Sequence, residues 1–225
     1  MAVGVTVSAL LWKRIEGRRP ALLAAYLGGL LGALVGAKLG YILAELPWLL
    51  HAPDAVRRML YGKTILGGFL GGYGGVELGK AIIGYKSATG DVFARIVPAG
   101  LVAGRLGCAL NGCCLGVQVD EARWWAMHDA EGVARVPSTA LEAIFHFSSA
   151  AAAWILHRRG ILRGQLFHLY LIAYGVFRFV TELARETPRY SFGLSPYQVL
   201  AALLVAFAAW RWHARARENA AQPSS

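Results

Sequence analysis

Charged residues are scarce in this chain of 225 amino acids. They make up 16% of the sequence, whereas 56% of the residues are hydrophobic. Soluble domains carry about 25% charged residues, so this composition excludes an ordinary water-soluble fold. The sequence therefore predicts an integral membrane protein.

Acidic residues are the rarer of the two charge types. The chain has 13 aspartates and glutamates against 23 lysines and arginines, which gives a net charge of +10. Such an excess can indicate nucleic-acid binding. Here, however, the basic residues form short groups between apolar runs, and no DNA- or RNA-binding motif accompanies them. We expect no nucleic-acid partner.

Cysteine is nearly absent: the chain has three, and all of them lie between residues 108 and 114. So few thiols, so close together, exclude the disulfide framework of a small secreted fold. The cysteines are therefore a local feature of one segment.

Six apolar runs approach the length of about 20 residues that a helix needs to cross a membrane. They are Leu22–Leu46, Ile65–Ile83, Val92–Leu110, Thr139–Leu156, Leu166–Leu183 and Tyr197–Trp212. Residues 2–12 form a shorter apolar run. We predict an all-α, polytopic membrane bundle with six full spans and a short N-terminal helix, in a single transmembrane domain over residues 1–214. We expect the polar residues 215–225 to form a disordered tail.

The basic groups predict the orientation of this bundle. Four of them fall on one side of the membrane: Lys13, Arg14, Arg18 and Arg19; Lys80 and Lys86; Arg158, Arg159 and Arg163; and Arg211, Arg215 and Arg217. The positive-inside rule makes that side cytoplasmic. The C-terminal tail is then cytoplasmic as well.

The segment Gly104–Gly116, GRLGCALNGCCLG, places Arg105 at the end of a long apolar run. An arginine at membrane depth is costly unless it is paired or faces a wet cavity, so it indicates a functional site. The glycines could let the chain turn and expose backbone amides to an anion. The alternative is an arginine that extends to the membrane surface, with glycines that only permit close packing.

A second constellation lies near the end of the fifth long run. Tyr174, Arg178, Glu182 and Arg185 follow one another at spacings of four, four and three residues, so a helix places them on one polar stripe. Arg178 and Glu182 could simply neutralise each other. One positive charge is still left over, and Arg105 adds another. Two arginines facing one cavity would form a bidentate phosphate site.

A third element is the glycine-rich run that follows Lys63. The pairs Gly67–Gly68, Gly71–Gly72 and Gly74–Gly75 leave a helix face without side chains. A lipid chain or another helix could lie against that face. Helix packing is the role we expect for most of these glycines.

Taken in order and spacing, these motifs resemble the prolipoprotein diacylglyceryl transferase family. The matching blocks are Gly36–Tyr41, Leu66–Gly72, Gly104–Gly107 with Asn111 and Gly116, Pro137–Glu142, Tyr174–Glu182 with Arg185, and Ser195 with Gln198. The resemblance covers nearly the whole chain.

The resemblance implies a seven-span enzyme of the bacterial inner membrane. Such an enzyme moves the diacylglyceryl group of phosphatidylglycerol to the lipobox cysteine thiol of a prolipoprotein signal peptide and releases glycerol phosphate. Phosphatidylglycerol, the prolipoprotein and membrane lipids are then the expected partners. We expect no cofactor and no metal.

The same resemblance suggests roles for individual residues. Arg105 and Arg178 would neutralise the phosphate as catalytic groups, and Glu182 would orient Arg178. The expected substrate-binding residues are Asn111, Glu142, Tyr174, Arg185, Lys63, Gly67, Gly68, Gly104 and Gly107.

Three positions depart from the family pattern. Leu66 stands where the family has a histidine, Cys108 where it has an asparagine and Cys113 where it has a glutamate. Either a thiolate of Cys108 or Cys113 replaces the missing base, or the fold serves another acceptor or lipid.

The competing class is a thiol-redox or lipid-carrier protein without transferase activity. Cys113 and Cys114 could form a vicinal disulfide, or both could join Cys108 in a soft-metal site. A small, buried apolar role for Cys108 is the remaining alternative.

Overall fold

The structure is a computed structural model that describes residues 2–16 and 20–221. Arg18 and Arg19 of the first basic group, and the last residues of the expected tail, lie outside the described residues. Eight helices account for most of the part that is described: α1 Ala2–Glu16, α2 Pro20–Leu49, α3 Ala55–Tyr61, α4 Ile65–Ile82, α5 Gly90–Leu110, α6 Ser138–Arg158, α7 Leu166–Thr181 and α8 Pro196–Ala221. A 3-10 turn, Glu182–Ala184, follows α7.

Each of the six long apolar runs coincides with one helix. Among the described helices, four segments are long and apolar enough to cross a membrane: Leu22–Leu49, Gly90–Leu110, Ser138–Arg158 and Leu166–Ala184. The prediction of a largely helical membrane protein is consistent with this finding. The count of six full spans stays a prediction, because α4 is diluted by glycine and α8 ends in polar residues.

The structure differs from the sequence prediction in the connecting segments. Helix α3 lies between the first two predicted spans, where the sequence predicted no helix. Strands β1 Met127–His128 and β2 Ala134–Arg135 form a short antiparallel hairpin in a chain expected to be all-α. Helix α8 continues to Ala221, so residues 215–221, which we expected to be disordered, are helical.

The described chain divides into two compact units. The first contains α1, residues 88–186 and the end of α8 from residue 209. Within it, α5 packs against α1, α6 and α7. Aromatic rings lie at two helix contacts of this unit: between ring centroids, Trp12 of α1 lies 5.5 Å from Phe93 of α5, and Phe145 of α6 lies 4.5 Å from Phe177 of α7.

Asp91, in the first turn of α5, fixes where α7 begins. Its carboxylate accepts hydrogen bonds from the backbone N–H of Gly164 at 2.7 Å and of Leu166 at 3.2 Å. The first N–H groups of a helix have no partner inside the helix, so a carboxylate at this position stabilises the helix start. Helices α5 and α7 are therefore joined at one end by a single side chain.

The second unit contains α2, α3, α4 and the first half of α8. Its centre is the contact between α2 and α4, where glycines recur every four residues on both helices: Gly28, Gly32, Gly36 and Gly40 face Gly67, Gly71, Gly75 and Gly79. A Cβ atom on most of them would overlap the opposite backbone. Small residues at this spacing let helices approach closely in lipid. The glycine-rich face therefore contacts a helix, as we expected for most of these residues.

Candidate functional site

The candidate site in the first unit is built around Glu142, in the second turn of α6. This side chain is almost completely buried, with a relative exposure of 1%. Its carboxylate pairs with Arg105 of α5, with Nη1 of Arg178 on α7 at 3.4 Å and with Nη1 of Arg185 at 3.2 Å. One carboxylate is thus shared by three guanidinium groups, one from α5 and two from α7 and the turn that follows it.

Glu182 is the second carboxylate of this cluster and is fully buried. It pairs with Nη2 of Arg178 at 2.7 Å, one helical turn before it. Arg178 therefore lies between two carboxylates and uses both ends of its planar fork, a geometry that lysine cannot reproduce. The polar stripe predicted from the sequence forms, and Arg105 lies on the same cluster.

The cluster carries more positive than negative charge. Three arginines share two glutamates, so one formal positive charge remains. Moreover, the Nε–H of Arg105 is buried and donates no hydrogen bond to any described residue. A buried donor without an acceptor is costly, and an anion that accepts from it would remove this cost.

Backbone hydrogen bonds bring the three segments of the cluster together. The N–H of Gly116 donates to the carbonyl of Val136 at 2.9 Å, and the N–H of Val117 donates to the carbonyl of Ala184 at 2.9 Å. A Cβ on Gly116 would lie 2.8 Å from both Val136 and Ser138. Only glycine allows the chain after α5 to pass this close to the start of α6.

The cysteines gather because α5 ends in a Schellman turn. The N–H of Cys113 donates to the carbonyl of Cys108 at 3.1 Å, and the N–H of Gly112 donates to the carbonyl of Ala109 at 3.2 Å. Gly112 has a φ of +57°, the left-handed conformation that this turn requires and that glycine adopts without strain. The turn folds Cys113 back over Cys108.

The three thiols form a second cluster next to Arg105. All three cysteines are free, and their Sγ atoms lie within 4.8 Å of one another. Cys113 is exposed overall, but partial desolvation of its thiol raises its pKa. A hydrogen bond from the Cys114 thiol to Cys108, together with burial, raises the pKa of Cys114. Both thiols therefore keep their protons at neutral pH.

Sequence reasoning missed His146, one turn after Glu142 on α6. The residue is fully buried, and its ring stacks on Tyr174 with 5.3 Å between centroids. Its Nδ1 is hydrogen-bonded to the hydroxyl of Tyr170 at 2.9 Å, whereas its Nε2 has no partner among the described residues. The spacing of four from Glu142 was the signal that could have found it.

Other predicted site residues lie outside the arginine cluster. Asn111 is exposed, and its amide donates to the carbonyl of Gly107 at 2.7 Å, which caps the end of α5. A Cβ atom on Gly104 or Gly107 would have no described residue within 4 Å. In the second unit, Lys63 is exposed, Gly67 packs on α2, and Gly68 makes only ordinary contacts with α2.

Together, the fold and the cluster define a helical membrane protein that keeps arginines and glutamates paired between apolar helices. The sequence model of the family described as prolipoprotein diacylglyceryl transferase matches residues 1–214. The chain belongs to this family, whose members are transferases.

Individual relatives agree with this result, and each bears the name phosphatidylglycerol–prolipoprotein diacylglyceryl transferase. The protein of Neisseria meningitidis serogroup C is 31% identical over an aligned length of 222 residues, with coverages of 82% of this chain and 73% of the relative. That of Methylibium petroleiphilum is 32% identical over 194 residues, with coverages of 79% and 72%. That of Cupriavidus necator is 30% identical over 223 residues, with coverages of 90% and 76%.

Proposed function

We propose that this protein transfers the diacylglyceryl group of phosphatidylglycerol to the lipobox cysteine of a prolipoprotein in the bacterial inner membrane. Membership of the family supports the reaction. The observation that carries the proposal for this chain is the surplus positive charge of the buried cluster around Glu142. A membrane enzyme needs such a charge to hold a phosphate out of water.

The leaving group explains why arginines suit this reaction. When the thiolate sulfur attacks the glyceryl carbon, the bond from that carbon to the phosphate oxygen breaks, and the electron pair stays on the phosphate. Donors aimed at the developing negative charge lower the barrier. Arg105 and Arg178 neutralise that charge, and Arg185 holds the headgroup.

The two glutamates position these arginines. Glu182 fixes the fork of Arg178 through the 2.7 Å pair. Glu142 holds Arg105, Arg178 and Arg185 together. A phosphate that enters the cluster then shares the guanidinium groups with Glu142. Tyr174, stacked on His146, forms part of the wall of this phosphate site.

The acceptor thiol must lose its proton before it attacks. The histidine of the family pattern is absent, because Leu66 stands at its position. Leu66 is fully buried and apolar. A thiolate of Cys108 is the substitute base that we favour, because the raised pKa of Cys113 keeps that thiol protonated. The alternatives are a different lipid or acceptor on the same fold, or a thiol-redox or lipid-carrier protein without transfer.

Orientation and span number are also part of the proposal. The basic residues at the ends of α6 and α8 support a cytoplasmic C-terminus. The six long helices then cross the membrane, and α1 completes the seven-span arrangement that the family resemblance implies.

Transfer from labelled phosphatidylglycerol to a synthetic lipobox peptide tests the reaction directly. Wild-type protein in detergent should label the peptide, and Arg105→Ala should abolish labelling. Arg159→Ala is the matched control, because Arg159 is exposed and follows the last residue of α6. Loss of one transition-state contact reduces the rate by far more than about twofold. If Arg105→Ala keeps an activity within about twofold of wild type, Arg105 therefore has no part in the mechanism. Absence of transfer by the wild type, under conditions in which a Neisseria relative is active, would contradict the proposal.

A further inference from the structure

We propose that Cys108, Cys113 and Cys114 form a binding site for a thiophilic divalent metal ion, with Zn²⁺ as the physiological candidate. This inference replaces our expectation of a metal-free protein. It goes beyond the proposed transfer reaction, which needs no metal for the phosphate.

The distances between the thiols fit such a site. Three thiolates bound to one zinc ion at about 2.3 Å lie about 3.8 Å from one another. The three Sγ atoms are already within 4.8 Å of one another, so small rotations of the side chains close the remaining gap. Cys113 and Cys114 are exposed, which gives an ion access from solvent.

The backbone holds the thiols in place before any ion binds. The Schellman turn fixes Cys113 over Cys108 through the 3.1 Å hydrogen bond between their backbones. Cys114 has a φ of +62°, a left-handed conformation that costs about 1–2 kcal/mol for a residue with a side chain. The hairpin keeps this turn in place, since a Cβ on Gly112 would lie 2.9 Å from the backbone nitrogen of Ala130.

The charges around the thiols favour a metal-bound thiolate cluster. Three thiolates and one divalent ion together carry one negative charge. Arg105 lies one turn before Cys108 on α5 and is close enough to Cys108 and Cys114 to interact with them electrostatically. A negatively charged thiolate cluster next to this arginine is therefore electrostatically favoured.

Three protein ligands leave a fourth position on zinc open, which is the arrangement of catalytic rather than structural zinc sites. A thiol that binds there loses its proton to solvent and stays bound as a thiolate. If the proposed transfer is correct, this position suits the lipobox cysteine, whose sulfur would then attack while the metal ion keeps its charge state. Because Cys108 would then be a ligand, the metal ion would take over the role of base that the proposed function assigns to Cys108. This last step alone rests on the proposed function.

Cadmium is the probe for the site, because its bonds to thiolates absorb in the ultraviolet. Reduced full-length protein in detergent, titrated with Cd²⁺, should develop this absorption and saturate at one ion per chain. Cys108→Ser, Cys113→Ser and Cys114→Ser should each weaken binding at least about tenfold. The chain has no cysteine outside the cluster, so Ser148→Ala, at an exposed position on α6, serves as the control with unchanged binding.

Two results would overturn the metal site. One is a reduced wild-type protein that shows no Cd²⁺-dependent absorption or binds as well after Cys108→Ser. The other is a purified protein whose mass is two hydrogen atoms below that of the reduced chain, which indicates a disulfide, and which binds no metal ion even after reduction. Unfolding temperatures of the metal-free variants close to that of the wild type show that the fold is intact.

A lipobox peptide separates the metal site from its use in transfer. Added to the Cd²⁺-loaded protein, the peptide should increase the thiolate absorption, and a peptide with serine in place of its cysteine should not. Metal binding without transfer would leave this inference standing and contradict the proposed function. Transfer by a chain that binds no metal ion would contradict the metal site and leave the proposed function standing.

Discussion

Arg185 donates to Glu142 at 3.2 Å across 43 positions of sequence, and this pair connects the end of α7 to the start of α6. Removing two charges from water is costly, and their mutual attraction offsets that cost only when both remain paired. Glu142 serves two further arginines at the same time. Its charge is therefore the one on which the buried cluster depends most.

Glu142→Gln should destabilise the protein strongly. The amide preserves the shape of the side chain but removes the charge that three arginines share, and loss of one partner from a buried pair costs about 3–5 kcal/mol. Thermal unfolding in detergent measures this loss. Glu131→Gln, in the exposed turn of the hairpin, is the matched control and should change stability by less than about 0.5 kcal/mol. Similar unfolding temperatures for the two variants would show that the cluster adds nothing to stability.

Glu182→Gln should lower kcat more than it changes KM. Glu182 acts through Arg178, which it holds at 2.7 Å, and a misplacement of about 1 Å in a catalytic group can cost about a hundredfold in rate. Steady-state transfer kinetics, with the phosphatidylglycerol concentration varied, separate the two constants. Glu182→Asp keeps the charge and should recover part of kcat. A change confined to KM would assign Glu182 to lipid binding.

Helix positions and the local part of the site could be predicted from the sequence. Apolar runs mark α2 and α4 to α8, and the spacing of four between Arg178 and Glu182 predicts their pair. The convergence on Glu142 could not be predicted from spacing, because it joins residues from three segments. The contact between His146 and Tyr170 also joins two helices and could not be predicted, although the spacing of four from Glu142 marks His146 itself.

The short strands and the polar end of α8 could not be predicted from the sequence either. Two strands of two residues each are too short to show an alternating pattern. Residues 215–221 are polar, yet alanine, arginine and glutamate are good helix formers, and α8 continues through them. Polarity therefore predicted where the apolar run ends, whereas propensity decides where the helix ends.

The hairpin should resist acid down to a pH below 3.8, the ordinary pKa of an aspartate. A hydrogen bond from Arg135 at 2.5 Å and one from the N–H of Val133 at 2.8 Å lower the pKa of Asp129. A lowered pKa means that this stabilisation is fully present above the ordinary value and is lost as the pH falls through the folded value.

The amide chemical shift of Val133, followed by NMR during an acid titration, reports this transition. Its midpoint should lie below 3.8 in the wild type, and Asp129→Asn should abolish the transition. A midpoint at or above the ordinary value would show that the Arg135 contact does not stabilise the carboxylate in solution.

Two adjacent glycines of α4 should respond in opposite directions to the same substitution. A Cβ on Gly75 would overlap the carbonyl of Gly28 and lie 3.1 Å from the Cα of Gly32, whereas a Cβ on Gly74 would have no neighbour within 4 Å among the described residues. Gly75→Ala should therefore destabilise the protein by about 1–3 kcal/mol through overpacking between α2 and α4.

Gly74→Ala should instead stabilise the protein by about 0.5–1 kcal/mol, because alanine loses less backbone entropy in a helix. Thermal unfolding of both variants in one detergent provides the comparison, and each variant is the control for the other. If Gly75→Ala unfolds at the same temperature as Gly74→Ala or higher, the close contact between α2 and α4 is wrong. If Gly75→Ala unfolds at a lower temperature than Gly74→Ala, close approach of the helices, rather than flexibility, is the reason for glycine at position 75.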